Sequence, residues 1–357
     1  MPFVFIGSTG NHAGQSLLTW AIARRLLEKG LSVGFLKPIG TQPVRVKGFW
    51  TDQDAFLLKQ VLNLREPLER ICPYLISEEA WREKGKEEIL EEFKVLAQEL
   101  TAGKDVLLIM GSQHIFFDET PHPVPDTSLI AALKTDVVLV DRFVQTSTSI
   151  YSIASVYSLL KDSMKGIILN RVPPAKLKEI RDQIVPSLAQ KGIPITTALP
   201  EDPLLSFQTL RDIREILDGE LLWGEESLGR PVGGMTVGSA DLKGELLIFK
   251  RVYNKIILTE PPSLDTEIKG TPAPRSIAGI LLTGGRNPAP QVLKAVKKAR
   301  IPIILVEDDT FAALERLENS TPSLSPEDEI KVRHFTELMD RDSALDSLLQ
   351  SLGLTLQ

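Results

Sequence analysis

A glycine-rich loop between an apolar run and an amphipathic segment is the feature that most constrains the fold. The run is residues 3–6, Phe-Val-Phe-Ile, and the loop after it contains Gly7, Gly10 and Gly14. Over residues 16–28, apolar side chains recur at the spacing of one helix face. A strand, a tight turn and a helix in this order bring backbone N–H groups and the positive end of a helix together. The pattern predicts an anion-binding turn, with a tight turn that binds nothing as the alternative.

Short apolar runs continue to alternate with helical patterns through the first 217 residues. Strands that are apolar on both faces and separated by helices are typical of a parallel sheet covered on both sides. We therefore predict an α/β fold with a P-loop-type parallel sheet. The further strands are expected at residues 32–36, 105–110, 136–140 and 166–169, with one more opening at 193–195.

Gln15 is the unusual residue of the loop. A Walker A loop carries lysine at this position, and its ammonium neutralises the terminal phosphates and the charge that develops in phosphoryl transfer. Glutamine offers only a neutral amide. Gly14 lets a phosphate approach the backbone, and Ser16 provides a hydroxyl for the helix start or for Mg²⁺. The loop is therefore expected to hold a phosphate while supporting little catalysis.

Charge and composition limit the partners. The formal net charge is −6, which gives no electrostatic reason to expect nucleic acid or an anionic membrane. The single cysteine, Cys72, leaves neither an internal disulfide nor a thiolate metal cluster. No window approaches about 18 uninterrupted apolar residues, and the N-terminus lacks the basic start and long apolar core of a signal peptide. We expect a cytoplasmic protein.

The loop and four later stretches resemble dethiobiotin synthetase and the related N-terminal domain of long phosphate acetyltransferases. The resemblance covers about residues 1–217. Besides Gly7-Ser8-Thr9 and Gly14-Gln15-Ser16, the matching stretches are Gly34 to Gly40, Thr51 to Ala55, Lys165 to Val172, and Ile193 to Leu205.

The second half resembles the DRTGG domain that follows in those acetyltransferases. The matching pieces are Gly233 to Val237, Ile280 to Pro288 and Ile301 to Thr310. The signature that names the domain should follow residues 255–259, where this chain has Glu260-Pro261-Pro262. Thr283-Gly284-Gly285 is either a second anion-binding turn or a plain turn. No stretch resembles the acetyltransferase catalytic domain, so we expect no acetyl transfer from this chain.

The resemblance assigns residues to an adenine nucleotide with Mg²⁺. It implies that Ser16 and Asp54 bind the metal, that Lys37 lies near the phosphates, and that Asn170 contacts the adenine base. Asp52 and Asp54 also fit the N-terminus of a helix, which is the structural alternative. A family glutamate of the metal shell is replaced by Met110, a second loss beside Gln15. The nucleotide-binding residues predicted in this way are Thr9, Gly10, Asn11, His12, Ala13, Gly14, Gln15, Ser16, Leu17, Lys37 and Asn170.

A charged, glycine-bearing stretch after Leu217 suggests a domain boundary. We predict a P-loop domain over 1–217, a linker over 218–232, a smaller α/β DRTGG-like domain over 233–345 and a tail over 346–357.

Three hypotheses about function remain open. The first is a regulatory or partner protein that binds an adenine nucleotide or a small anionic metabolite, with no residue assigned a catalytic role. The second is a weak ATP-dependent ligase or kinase in which Lys37 neutralises charge, and the third is a structural subunit with an empty crevice. The resemblance also implies a homodimer and leaves room for a protein partner.

Overall fold

The computed structural model describes residues 2–76, 84–115, 124–237, 255–259, 277–320 and 324–354. The chain divides into two compact units, Met1–Glu201 together with Leu324–Gln357, and Asp202–Ser323. The residues Glu260, Pro261 and Pro262, which depart from the domain signature, lie outside the described part.

The first unit is built on a parallel sheet. The strands of this unit are β1 (Phe3–Ser8), β2 (Val33–Leu36), β3 (Ile39–Gly40), β4 (Pro43–Val46), β5 (Phe49–Asp52), β6 (Tyr74–Leu75), β7 (Val106–Met110), β8 (Asp136–Arg142), β9 (Met164–Val172) and β10 (Ile195–Pro200). Six of them form one sheet in the order β10-β9-β8-β1-β7-β2, and every pairing in it is parallel. The predicted parallel α/β sheet is confirmed. β8, β9 and β10 extend further than their apolar runs indicated, because polar residues such as Asp141, Asn170 and Thr197 continue the strands, and β9 also begins earlier, at Met164.

Helices cover this sheet, and buried side chains alternate between its faces. Val4, Phe5 and Ile6 of β1 are wholly buried. Phe5 joins a core cluster with Phe93, Leu107 and many others, as expected for a strand with both faces covered. The helices of this part are α1 (Gln15–Glu28), α2 (Gln53–Val61), α3 (Leu68–Ile71), α4 (Lys86–Leu100), α5 (Asp126–Leu133), α6 (Thr146–Leu160), α7 (Pro174–Glu179) and α8 (Val185–Gln190).

β1 lies in the middle of the sheet, between β7 and β8. The chain passes from β1 to β2 on one side, while β8, β9 and β10 lie on the other side. Such a reversal of direction leaves a crevice at the carboxyl ends of the central strands, where α/β proteins bind their ligands. The glycine-rich loop that follows β1 therefore stands at this crevice.

The second unit contains a five-stranded mixed sheet in the order β12-β17-β16-β15-β14. Its strands are β11 (Gln208–Thr209), β12 (Glu220–Trp223), β13 (Pro231–Val232), β14 (Gly234–Val237), β15 (Lys255–Thr259), β16 (Ile277–Leu282) and β17 (Ile303–Leu305). The helices are α9 (Pro203–Ser206), α10 (Leu210–Ile216), α11 (Pro290–Ala299) and α12 (Thr310–Glu318).

The segment 218–232, predicted as a linker, is folded instead. β12 pairs antiparallel with β17, and β13 pairs with β11. Leu221 and Trp223 pack against two different core clusters, so this short edge strand contributes to both faces of its sheet. The prediction was wrong because charged residues surround the strand and hide its few apolar positions in the sequence.

The end of the chain returns to the first unit as α13 (Glu329–Asp340) and α14 (Ala344–Ser351). The predicted domain over 233–345 and tail over 346–357 are therefore wrong at this end. Leu345, Leu348 and Leu349 of α14 are buried, and they form an apolar helix face that is too short to recognise beside its polar residues. A Cβ on Gly166 of β9 would stand 2.4 Å from Cδ1 of Leu348, so the helix packs where only glycine leaves room.

Ion pairs also join these last helices to α1. Arg25 contacts Asp340 at 2.6 Å and Asp346 at 2.9 Å, and Lys29 contacts Asp346 at 3.2 Å. These groups are partly exposed, so each pair contributes at most about 1 kcal/mol. The apolar contacts of α14 hold the helix more strongly. No helix in the described residues is long and apolar enough to cross a bilayer.

Replacing Leu348 by alanine tests this packing. Leu348→Ala should lower the free energy of unfolding by about 3 kcal/mol, because it leaves a cavity against β9. Leu159→Ala is the matched control, since Leu159 is 62% exposed, and it should change stability by less than about 0.5 kcal/mol. Urea unfolding measures both variants, and equal effects would show that α14 does not stabilise the first unit.

Candidate functional site

The beginning of the glycine-rich loop is fixed to β8. The backbone N–H of Thr9 donates to the carbonyl of Val140 at 3.1 Å, and its hydroxyl donates to Oδ1 of Asp141 at 2.7 Å. Asp141 is buried, and this burial raises the pKa of its carboxyl, while the hydroxyls of Ser149 and Thr9 oppose the rise. Thr9 is therefore a loop anchor.

The end of the loop is fixed to β9. Nδ2 of Asn170 donates to the carbonyl of Ala13 at 2.7 Å, and Oδ1 of Asn170 accepts from the N–H of Arg171 at 2.9 Å. Gly14 has φ 103°, and a Cβ on it would stand 2.4 Å from Nδ2. Both polar atoms of the Asn170 carboxamide thus have protein partners. The structure gives Asn170 the role of a loop clamp, whereas the resemblance implied an adenine contact.

Between these anchors the loop presents unpaired backbone donors. Within the described part of the chain, the N–H groups of residues 14–17 have no hydrogen-bond acceptor. No side chain caps α1 and its first turn has no acidic residue, whereas Asp52 caps α2 by accepting from the N–H groups of Asp54 and Ala55. Such a group of N–H donors at the positive end of a helix favours an anion.

The predicted loop residues come together at this point. Gly10 follows the anchor Thr9, and Asn11 and His12 are exposed at the tip. Ala13 and Leu17 are buried, and Ser16 is half-buried in the first turn of α1.

The side chain of Gln15 is directed to the protein itself. Its Nε2 donates to the carbonyl of Ile6 at 2.5 Å and lies 3.4 Å from the carbonyl of Gly111. Gln15 is buried, at 9% exposure. Its amide therefore links the carboxyl ends of β1 and β7, and it adds no charge to the loop.

Lys37 and Asp54 lie next to this link. Nζ of Lys37 donates to the same carbonyl of Gly111 at 2.8 Å and lies 3.8 Å from a carboxylate oxygen of Asp54. Lys37 is only 1% exposed, and a buried cation needs such a partner. Burial raises the pKa of the neighbouring Asp52, and Lys37 opposes that rise. The positive charge of Lys37 is thus already compensated by the protein, at least in part.

Met110 and Cys72, the other side chains considered for a chemical role, lie buried in the protein. Met110 is wholly buried at the end of β7. Burial raises the pKa of Cys72 far above its ordinary value, which leaves an unreactive thiol. Among the described residues, no group of three or more His, Cys, Asp or Glu side chains could hold a metal ion.

Two arginines that the sequence reasoning missed stand over the loop tip. Nη1 of Arg142 donates to the carbonyl of Asn11 at 2.9 Å, and Nη1 of Arg171 lies 3.4 Å from the carbonyl of His12 as a longer contact. Burial, together with the charges of both arginines, lowers the pKa of His12. The lowered pKa favours the neutral imidazole, which carries no charge to replace the missing lysine. Each arginine comes two residues after the apolar part of a strand, behind Asp141 or Asn170, and this position near a strand's carboxyl end was the signal in the sequence.

Both glycines of the Thr283-Gly284-Gly285 turn in the second unit already use their backbone N–H groups. The N–H of Gly284 donates to the carbonyl of Asp308 at 2.7 Å, and that of Gly285 donates to Val306 at 2.9 Å. Glu307 lies against Gly285, with Oε2 2.3 Å from the position of a Cβ there. Paired donors beside a carboxylate favour a structural turn over an anion site.

Comparison with protein families agrees with this geometry. Residues 3–209 match the AAA domain family, and residues 212–320 match the DRTGG domain. The first match covers more than half of the chain. The chain belongs to the AAA domain family. Its two domains are a dethiobiotin-synthetase-like P-loop domain and a DRTGG domain, as the sequence resemblance predicted.

Curated relatives fall into two groups. Phosphate acetyltransferase from Synechocystis sp. is 24% identical over 99% of this chain and 53% of its own length. The enzyme of the same name from Deinococcus radiodurans is 24% identical over 89% of this chain and 46% of its own. ATP-dependent dethiobiotin synthetase BioD from Ruthia magnifica is 26% identical over 50% of this chain and 84% of its own. The chain thus spans about half the length of the acetyltransferases that it matches.

Among solved structures, the MinC:MinD cell division protein complex of Aquifex aeolicus is similar, with a TM-score of 0.37 and 16% identity. That likeness covers 57% of this chain and 84% of the other. MinD from the same organism has a TM-score of 0.34 at the same identity.

Two glycines of the loop provide a matched test of its geometry. Gly14→Ala should lower stability by about 2 kcal/mol, because its φ is positive and the new methyl group meets Asn170. Gly10→Ala should change stability by less than about 0.5 kcal/mol, since a Cβ there meets nothing within 4 Å. Thermal unfolding measures both, and a Gly14→Ala variant as stable as the parent would contradict the clamped loop.

Proposed function

We propose that the first unit binds a phosphorylated ligand at the loop, either an adenine nucleotide or a small anionic metabolite, and acts as a regulatory or partner module. The supporting observation is the run of N–H groups at residues 14–17, which have no acceptor in the described part of the chain and lie at the carboxyl end of the central strand. Backbone donors of this kind hold a phosphate without any side-chain charge. The AAA domain match and the ATP-dependent synthetase among the relatives support an adenine nucleotide as the first ligand to test.

Little ATP turnover is part of this proposal. The amide of Gln15 is neutral, and its Nε2 is directed to the carbonyls of Ile6 and Gly111, so it neutralises no charge on a transferring phosphate. The loss of one well-placed donor reduces the stabilisation of the transition state by about 3 kcal/mol, which lowers the rate about a hundredfold. The buried thioether of Met110 adds no hard ligand for a metal.

Mg²⁺ has few protein ligands at this site. Ser16 and Asp54 remain the proposed metal residues, but Asp54 lies 3.8 Å from the ammonium of Lys37. A divalent cation at Asp54 would compete with that ammonium for the carboxylate. Mg²⁺ often uses one or two protein ligands together with phosphate oxygens and water. We therefore propose that any bound Mg²⁺ arrives with the nucleotide and changes its affinity only modestly.

The weak-enzyme hypothesis depends on Lys37. Its ammonium lies at the crevice, but it already contacts Gly111 and Asp54, so using it on a phosphate would require new partners for both. The acetyl transfer named for the longer relatives is not proposed for this chain, since no residue of its described site has been connected to that reaction.

Calorimetric titration with ATP, ADP and AMP, with and without Mg²⁺, tests the proposed function. We expect binding of at least one nucleotide, with ATP hydrolysis no faster than the background reaction. Turnover that disappears in Lys37→Ala would instead support the weak enzyme. Absence of heat with all three nucleotides and with inorganic pyrophosphate would overturn the binding proposal and leave a structural subunit.

Replacing Gln15 by lysine, the residue of a Walker A loop, tests whether Gln15 weakens nucleotide binding. Gln15→Lys should raise the affinity for ATP about tenfold, because a cation would reach the terminal phosphates. Gln15→Met is the control, since it keeps the length of the side chain without a charge or an amide. Equal affinities for the lysine and methionine variants would show that the loop is not shaped for a triphosphate.

A further inference from the structure

The hairpin formed by β4 and β5 carries two exposed aromatic residues. Phe49 is 66% exposed and Trp50 is 61% exposed. Lys47 and Gly48 form the turn, with φ 49° and φ 93°, which is typical of a tight two-residue hairpin turn. In the described part of the chain the two strands pair only with each other. A ribbon of two strands is marginally stable by itself, so a surface that covers its aromatic residues would stabilise it.

A cation accompanies Trp50 on this hairpin. Arg45 lies opposite Trp50 in the antiparallel register, so both side chains lie on the same face of the ribbon. Residues 39–51 include Arg45 and Lys47 but no acidic residue. The guanidinium of Arg45 has no ion pair or hydrogen bond to any residue that the structure describes. The hairpin therefore presents an aromatic ring beside an unpaired positive charge.

A cavity of about 310 Å³ lies between α3 and α4 of the same unit. Pro73, Phe93, Leu96 and the ring of Tyr74 form the apolar part of its lining. The rings of Tyr74 and Phe93 meet edge to face, with centroids 5.7 Å apart. Pockets for small ligands have volumes of about 300–1,000 Å³. A cavity at the lower end of this range, with aromatic walls, suits one large side chain better than a cofactor.

The rim of the cavity carries one carboxylate that is still available. Glu92 is already paired, because it accepts from the phenol of Tyr74 and from Nζ of Lys84 at 2.6 Å. The neighbouring arginine of the rim, Arg70, is paired with a glutamate of α4. Glu69 also lines the cavity, and it has no ion pair or side-chain hydrogen bond within the described ranges. The cavity thus offers apolar walls beside a free negative charge.

The hairpin and the cavity are close together in the fold. β3 pairs in parallel with β6, with Ile39 opposite Tyr74. The hairpin follows β3 directly, and Tyr74 of β6 lines the cavity. Because Trp50 is exposed, it does not fill the cavity of its own chain. Two complementary features that lie side by side can meet twice across one two-fold axis, the commonest symmetry of protein dimers.

We propose that a second copy of this chain covers the hairpin, with Trp50 in the cavity of the partner subunit and Arg45 paired with Glu69 of the partner subunit. The contact places an aromatic anchor in a pocket and a cation beside a carboxylate, as in the energetic centres of specific interfaces. The chain itself carries both halves of the contact, which favours a second copy over a different protein. The inference does not depend on phosphate binding at the loop, so either proposal can fail alone.

Sedimentation velocity over a series of protein concentrations tests this dimer. The parent should dimerise, and Trp50→Ser should weaken dimerisation at least about thirtyfold, as expected for the loss of a central aromatic anchor. Trp50→Phe should recover part of the loss, because it keeps an aromatic ring. A parent that stays monomeric throughout the series would overturn the inference, and so would a Trp50→Ser variant that dimerises as the parent does.

Exchanging the two charges tests their pairing. Arg45→Glu and Glu69→Arg should each weaken dimerisation, because each brings two like charges together across the interface. The double variant should recover most of the affinity, since the pair is restored with its signs reversed. A double variant that dimerises no better than the single ones would overturn the pairing and the inference with it.

Exposed aromatic residues elsewhere in the chain provide the controls. Phe311 of the second unit is 77% exposed, and Tyr151 of α6 is 74% exposed. Phe311→Ser and Tyr151→Ser should both dimerise as the parent does, because neither residue belongs to the hairpin or the cavity. A dimer that is lost in Tyr151→Ser and kept in Trp50→Ser would place the interface on α6 and overturn the inference.

Discussion

The side-chain amide of Asn170 donates to the carbonyl of Ala13, and it approaches so closely only because Gly14 has no Cβ. This contact joins the end of the loop to β9, while Thr9 joins its beginning to β8. Held in this way, the loop leaves the N–H groups of residues 14–17 without an acceptor among the residues that the structure describes. Unpaired backbone donors are costly unless water or an anion pairs with them. The proposed anion site thus depends on two strands as much as on the loop itself.

The arrangement of charge around the loop differs from that of a working phosphoryl-transfer site. There, a lysine from the loop contacts the transferring phosphate. Here the residue at that position links β1 to β7, and Asp54 compensates the charge of the nearby Lys37 in part. The loop therefore presents no ammonium group to a phosphate, and we connect this difference to binding without rapid turnover.

Sequence pattern predicted the sheet well because its strands are apolar on both faces. Residues 3–6 and 105–110 are typical of buried strands, and the turn that contains Gly14 was predicted from the helical pattern that follows it. β12 and α14 were missed because their apolar residues are few and are interspersed with polar ones, and only packing shows which face is buried. The roles of Asn170 and Arg142 could not be predicted from the sequence for another reason. They depend on β8 and β9 being neighbours, and strand order is a property of the whole fold.

The chain leaves the first unit after Glu201 and returns to it at Leu324. The family match ends at residue 209, but α13 and α14, which cover α1 and β9, come much later. A fragment cut at residue 209 would keep the loop and the complete sheet while exposing the apolar surface under Leu348. If such a fragment failed to bind nucleotide, the failure would reflect a missing layer of helices and would say nothing of the loop. The family match and the compact unit have different boundaries in this protein, and a fragment meant to contain the whole first unit would have to include the returning helices.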